Sequence, residues 1–168
     1  RYKYIELSDI GVNGEISGST YEYGSNLPSR ARRVVHTGDI IISSIEGSLQ
    51  SCAIITEEYD GALCSTGFYV LSPRSINSET SLVLFKSAMI QTLLQRACTG
   101  TILTAINKEE FVNISLPIID NDTQNSIAVI IKRSTSLRQE SKRLLNLAKT
   151  VVETAIEQGE SAAMELLN

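Results

Sequence analysis

An α+β fold is predicted, with a twisted, barrel-like sheet carrying a packed helix, followed by a long C-terminal helix of coiled-coil type. Three observations predict it. Up to about residue 120, short runs rich in Ile and Val are punctuated by Gly, Ser, Asn and Pro. Between Ser81 and Ala97 the apolar spacing becomes helical. Beyond Thr123 a heptad pattern continues unbroken to Gly159. The expected division is therefore a globular domain over 1–122 and a helical segment over 123–168.

Each element has its own reason. Tyr2–Leu7 alternates as a half-buried strand, and Asp9–Gly18 is broken by glycines into turns. Arg32–Val35, Asp39–Ile45 and Cys52–Thr56 read as strands. Ala62–Leu71 is a further strand stretch interrupted at Gly67 and closed by Ser72-Pro73, where proline removes a ladder donor. Short strands at this spacing suit a bent or barrel-like sheet better than a parallel one. In the helix Ser81–Ala97, the residues Leu82, Val83, Lys86, Met89, Ile90, Leu93, Leu94 and Ala97 form one stripe, with Gly100 as a stop. Thr101–Ile106 follows as a loop or short strand, Lys108–Phe111 as a helical turn, and Asn113–Pro117 as a final strand.

The terminal helix is placed at about 124–158, capped by Asp122 or Thr123. One seam position carries Ile127, Ser134, Ser141, Ala148 and Ala155. The other carries Ile130, Leu137, Leu144 and Val151, with Ile131, Leu145 and Val152 alongside. Small residues on one position and large ones on the other permit close approach of a second helix. Ile127, Ile130, Leu137, Leu144, Ala148 and Val151 are the expected partner-facing residues. Ala162–Leu167 reads as a short trailing turn.

Composition bounds the function. The 168 residues are 42% hydrophobic, enough for a core, and no apolar run reaches the ~20 residues of a membrane span. No signal-peptide pattern appears in the first ten residues, and the three cysteines read as buried, reduced thiols of a cytoplasmic protein. Cys52, Cys64 and Cys98 are odd in number and widely spaced, and the chain has one histidine, so neither a disulfide framework nor a metal site is expected. No phosphate-binding glycine loop or dinucleotide fingerprint occurs. Glu140 and Lys142 have a nuclease-like spacing but fall on the polar face of the terminal helix. His36 lies between Val35 and Thr37 with no Cys nearby in sequence, as a surface histidine would. The expectation is a protein without catalytic residues or cofactors.

The net charge of −4 argues against nucleic-acid binding, although a local basic patch can outweigh the sum. Arg30, Arg32 and Arg33 concentrate three guanidiniums in four positions, suited to phosphates or guanine edges. A surface arginine run paired with glutamates is the alternative reading. The polar turn Ser43–Ser51, with Ser43, Ser44, Ser48 and Gln50, suits close approach to DNA and equally suits any hairpin. The segment containing Thr101, Asn107 and Lys108 has the same double reading.

Taken in order, these segments resemble a known family. Pro28-Ser29-Arg30-Ala31 with Gly38-Asp39-Ile40-Ile41-Ile42-Ser43, and then Gly61–Leu71, resemble target recognition domains of type I restriction–modification specificity subunits. Gly100-Thr101, Ile106-Asn107, Phe111, Ile114, Leu116-Pro117 and Gln124-x-x-Ile127 resemble the passage into that family's spacer helix. The resemblance runs from about Tyr2 to Ile156. It implies a domain that chooses a double-stranded DNA sequence while other subunits or domains methylate adenine and cleave. Full-length specificity subunits carry two recognition domains joined by antiparallel helices. One of each here implies half such a subunit, either self-dimerising through the helix or fused to a DNA adenine methyltransferase. Asp120-Asn121-Asp122 departs from the family's proline-rich approach to the helix. The competing expectation is a protein-interaction adaptor that works through its long helix.

Overall fold

The computed structural model describes residues 1–100 and 104–167. The strands are β1 (Tyr2–Ile5), β2 (Thr20–Glu22), β3 (Ala31–Val34), β4 (Ile40–Ser43), β5 (Cys52–Ile54), β6 (Leu63–Ser65), β7 (Phe68–Leu71), β8 (Cys98–Thr99) and β9 (Ala105–Ile106). The helices are α1 (Ser78–Lys86), α2 (Ala88–Arg96), α3 (Lys108–Val112), α4 (Asn121–Gln158) and α5 (Glu160–Glu165). The chain divides into two compact units, 1–128 and 129–168, so the opening of α4 belongs with the β-rich unit.

In the first unit, β2-β1-β6-β3 form one sheet and β5-β4-β7 a second, with β8 and β9 as a small antiparallel pair. Among the described residues, only β1 and β6 pair in parallel. The fold class is the expected α+β, and the twisted sheets stand unclosed. The chain passes from the first sheet to the second through the two residues Thr66 and Gly67, between β6 and β7. Strand β4 is fully buried because its run of isoleucines has apolar neighbours on both faces. Ile41 packs with Ile5, Val35, Ile55, Cys64 and Phe68. Helix α1 packs on β4 and β5. Burial pushes the Cys52 and Cys64 thiols up to about 12, leaving them inert as nucleophiles.

Several elements differ from the sequence-based expectation, each for a local reason. Strand β2 falls in a stretch where no strand is expected, because Thr-Tyr-Glu shows no apolar alternation, as an exposed edge strand need not. The helix expected over Ser81–Ala97 is two helices. Ser87 takes an extended conformation (ψ 144°), ends α1 by donating its N–H to Leu84, and caps α2 by accepting from the Ile90 N–H. This break resets the helical phase. Leu82, Ile90, Leu94 and Ala97 are buried as expected, but Val83 and Met89 face outward and Phe85 faces inward. Asn113–Pro117 forms no strand.

The cap of α4 is Asp120, not Asp122 or Thr123. Its carboxylate accepts from the Thr123 N–H at 2.9 Å and from the Thr123 hydroxyl at 2.7 Å. The backbone hydrogen bond from Thr123, reinforced by its hydroxyl, holds Asp120 below the ordinary Asp value of 3.8. A depressed folded-state pKa stabilises above the ordinary range and loses that effect as pH falls through the lowered value. Asp120→Ala is therefore expected to speed amide exchange at Thr123 near neutral pH, with the difference from wild type shrinking in strong acid. In the second unit α4 ends before Gly159 (φ +95°), a conformation that favours glycine, and α5 follows where a trailing turn was expected.

Candidate nucleic-acid interface

The turn between β6 and β7 is the point on which several of the anticipated residues converge. The Thr66 N–H donates to the Arg30 carbonyl at 2.8 Å. The Gly67 carbonyl accepts from both the N–H and the hydroxyl of Ser44, at 2.8 and 2.9 Å. Ser44 in turn accepts from the Ile106 N–H through its own carbonyl at 2.8 Å, and the Glu46 N–H donates to the Thr104 carbonyl at 3.0 Å. A bridge between Ile45 and Ala105 completes the seam. The two polar segments 43–51 and 104–108, separated by about a third of the chain, thus form one surface. Thr101 lies outside the described residues.

Tyr69 ties the same surface to the arginine cluster. Its hydroxyl donates to the Ile106 carbonyl at 2.8 Å, and its ring stacks on Phe111 with centroids 4.1 Å apart. The Arg33 guanidinium lies 5.6 Å from the Tyr69 ring centre. The three arginines do not form a single patch. Arg33 is half-buried over Tyr69, whereas Arg32 is exposed and donates to the Ser29 carbonyl. Arg30 donates to the Tyr4 hydroxyl at 3.1 Å and to the Glu6 carboxylate at 2.8 Å. That pairing holds the Glu6 carboxyl below its usual range. For Arg30 the ion-paired reading of the sequence is the one realised in the free chain.

The serines serve the shape of the turn. Ser43 is fully buried; its hydroxyl accepts from the Ile45 N–H at 3.0 Å and meets the Ser48 hydroxyl at 2.8 Å. Ser48 also donates to the Ile45 carbonyl at 3.3 Å. From outside the turn, Lys86 Nζ donates to the Gln50 carbonyl at 2.9 Å, and Gln91 Nε2 donates to the Leu49 carbonyl at 3.1 Å. Gln50 is exposed, as are Asn107 and Lys108. The Asn107 side chain caps α3 by accepting from the Glu110 N–H at 2.9 Å, while Lys108 opens that helix.

Along α4 the expected seam residues are graded in exposure. Ile127 and Val151 are half-buried, Ala148 is exposed, and Ile130, Leu137 and Leu144 are 66%, 61% and 48% exposed. Glu140 pairs with Arg143 at 2.7 Å on the surface, and His36 sits 3.5 Å from Asp60. Among the described residues no cluster of three His, Cys, Asp or Glu side chains could hold a metal ion, and no helix is long and apolar enough to cross a membrane.

Two residues important to this geometry do not stand out in the sequence. Tyr69 is hidden inside an apolar strand run. Gln124 has no local signal beyond its place in the motif before the spacer helix; it is buried in α4, and its amide joins the helix start to the loop before α1. Its Oε1 accepts from the Asn77 N–H at 2.8 Å, and its Nε2 donates to the Ile119 and Ser75 carbonyls at 2.9 and 3.4 Å. The Gln124 carbonyl accepts from the Asn77 side-chain amide at 3.1 Å.

Two sheets linked by a polar turn surface, followed by a long helix, have clear counterparts among known proteins. The family described as type I restriction modification DNA specificity domain matches residues 3–148, and this chain belongs to it. The chain is similar to the HsdS subunit of Thermoanaerobacter tengcongensis, with 26% identity and a TM-score of 0.70. It shares its fold with a chain from a structure titled for complex assembly and conformational transition of the type I R-M system, at 24% identity and a TM-score of 0.68. In each case the match covers 92% of this chain and 40% of the other, so the chain spans about two-fifths of their length. No curated protein sequence matches it.

Proposed function

We propose that this chain reads a double-stranded DNA sequence and directs a type I adenine methyltransferase assembly to it, without catalytic residues or a cofactor of its own. Family membership over 3–148 carries the reading. The joining of the segments 43–51 and 104–108 beside Arg33 supplies a surface for it. Phosphate contacts fix register and base contacts select sequence. Arg33 and Lys108 suit the first task, and Arg30 joins them when a phosphate displaces Glu6. Because the chain carries −4 net charge, much of the counterion-release affinity comes from the methyltransferase partner in the cytoplasmic assembly. A second copy of the chain, or a fused domain, covers the apolar stripe of α4.

The test is duplex binding by the assembled complex over a salt series. Replacing Arg30, Arg32 and Arg33 together with Ala should weaken binding and reduce the salt slope by roughly 0.9 for each phosphate left unneutralised. An unchanged slope and affinity in a folded triple variant would remove the arginines from the interface. The adaptor reading predicts no salt-dependent duplex binding at all.

A further inference from the structure

Beside the turn that carries Ser48 lies a shallow depression whose lining includes Glu46, Gln50, Gln91, Thr92 and Gln95. One wall is the turn 46–50 and the other is the outer side of α2. Among the described residues that line it there is no lysine or arginine. An anion-gripping site would be basic; this one sets amides, hydroxyls and one carboxylate among apolar surface that includes Leu49 and Ala88.

The two walls are held rigidly but leave selected groups outward. Gln91 uses its amide nitrogen on the Leu49 and Phe85 carbonyls, at 3.1 and 2.6 Å, and so acts as a strut. Thr92 donates its hydroxyl back to the Ala88 carbonyl at 2.8 Å. The Gln50 carbonyl accepts from the Cys52 N–H and Lys86 Nζ, both at 2.9 Å. Gln50 and Gln95 are exposed, and neither side-chain amide bonds to another described residue. The depression is thus a fixed frame presenting two unused amides and the exposed Glu46 carboxylate. It is continuous with the candidate interface, because Glu46 is also the residue whose N–H bonds Thr104.

We infer that this amide-lined depression reads base edges in the DNA major groove, with Gln50 and Gln95 as specificity-determining residues. The inference rests on the DNA-recognition reading above. A glutamine amide both donates and accepts, matching adenine N7 and N6 at the same base edge. A carboxylate accepts from the cytosine amino group and repels phosphate, so Glu46 favours insertion toward bases over lying on the backbone. Phosphate grip by the arginines and base reading by the amides are then separate tasks on neighbouring elements.

The experiment selects bound sequences from a pool of duplexes randomised at their central positions, using the complex of this chain with its methyltransferase partner. Gln50→Ala and Gln95→Ala should each relax preference at one base pair by about 5- to 150-fold, with the salt slope unchanged. Gly47→Phe is a second probe: a Cβ at Gly47 meets nothing within 4 Å, so a side chain can start there without a clash. It should abolish selective binding while leaving the melting temperature close to wild type. Unaltered preference in both glutamine variants, or an equal loss of affinity for every sequence, overturns the inference. If the wild-type complex selects no sequence from the pool, the DNA-recognition reading itself falls, and that result is distinct from either.

Discussion

Replacing Gln124 with leucine is expected to lower the stability of the β-rich unit by about 3 kcal/mol, a drop of roughly 10 °C or more in melting temperature. Leucine has nearly the same size and is a better helix former, so neither volume nor propensity accounts for the loss. The cost comes from groups that lose their partner. The Asn77 N–H loses its 2.8 Å acceptor, and the Ile119 and Ser75 carbonyls lose their donor, next to a side chain that is only 5% exposed. Each polar group left unsatisfied costs about 1–3 kcal/mol to the extent that water cannot reach it. Gln124→Glu is the informative companion. It keeps the acceptor for Asn77 but sets a carboxylate against two carbonyls, so it should destabilise at neutral pH and recover partly in acid as it protonates. Thermal unfolding followed by circular dichroism distinguishes these outcomes, and a loss below about 0.5 kcal/mol for leucine would show the clamp to be dispensable.

The other large effect concerns the apolar stripe of α4. Wild-type protein should sediment as a dimer at micromolar concentration, and a variant carrying Leu137→Glu and Leu144→Glu as a monomer. Ile130, Leu137, Leu144, Leu145 and Val152 are between 48% and 66% exposed within one helix. Monomeric proteins seldom leave so long a row of aliphatic side chains in water. Burying each such side chain contributes about 1.5–3 kcal/mol, so placing two carboxylates per chain in the seam should weaken a dimer by roughly a thousandfold or more. Ser134, Ser141 and Ala148 between them allow the helices to approach closely, and a twofold axis presents the same row to itself. A monomeric wild type would refute self-association and leave the methyltransferase or a fused domain as the cover. A dimer that survives both substitutions would place its interface on another face.

The sequence is most legible where a residue's role is set by its immediate neighbours. The strand expected at Asp39–Ile45, found as β4 (Ile40–Ser43), the interruption at Gly67 and the stop at Gly159 each follow from a short pattern. The heptad from Ile127 to Ala155 likewise announces one uninterrupted helix. The structure departs from the pattern where a tertiary partner decides. Ser87 looks like a tolerable interior helix residue, yet it accepts from Ile90 and splits the segment, leaving α1 on β4 and β5 while Gln91 of α2 bonds the Leu49 carbonyl of the turn 46–50. Asp120 is masked as a cap because Asp122 and Thr123 stand just beyond it with equal capping chemistry. In the candidate interface, residue types are readable but their grouping is not. Nothing local tells that Ser44 and Ile106 share a hydrogen bond across 62 positions of sequence, or that three neighbouring guanidiniums diverge to Tyr4, Ser29 and Tyr69.

The manner in which the turn 46–50 is attached bears on how such a protein changes over time. Lys86 and Gln91 hold it by the carbonyls of Gln50 and Leu49, and Ser48 holds it by the carbonyl of Ile45. Main-chain carbonyls are present whatever residue occupies a position, so these attachments survive replacement of the outward side chains. Glu46, Gly47 and Gln50 are therefore exchangeable at little cost to folding, while Ser43, Ser48, Lys86 and Gln91 are not. A lineage under pressure to acquire a new target can sample those three positions freely, one at a time, without passing through unfolded intermediates. If the turn reads DNA as inferred above, diversification of what is recognised is a property of how the loop is hung rather than of any one residue it displays.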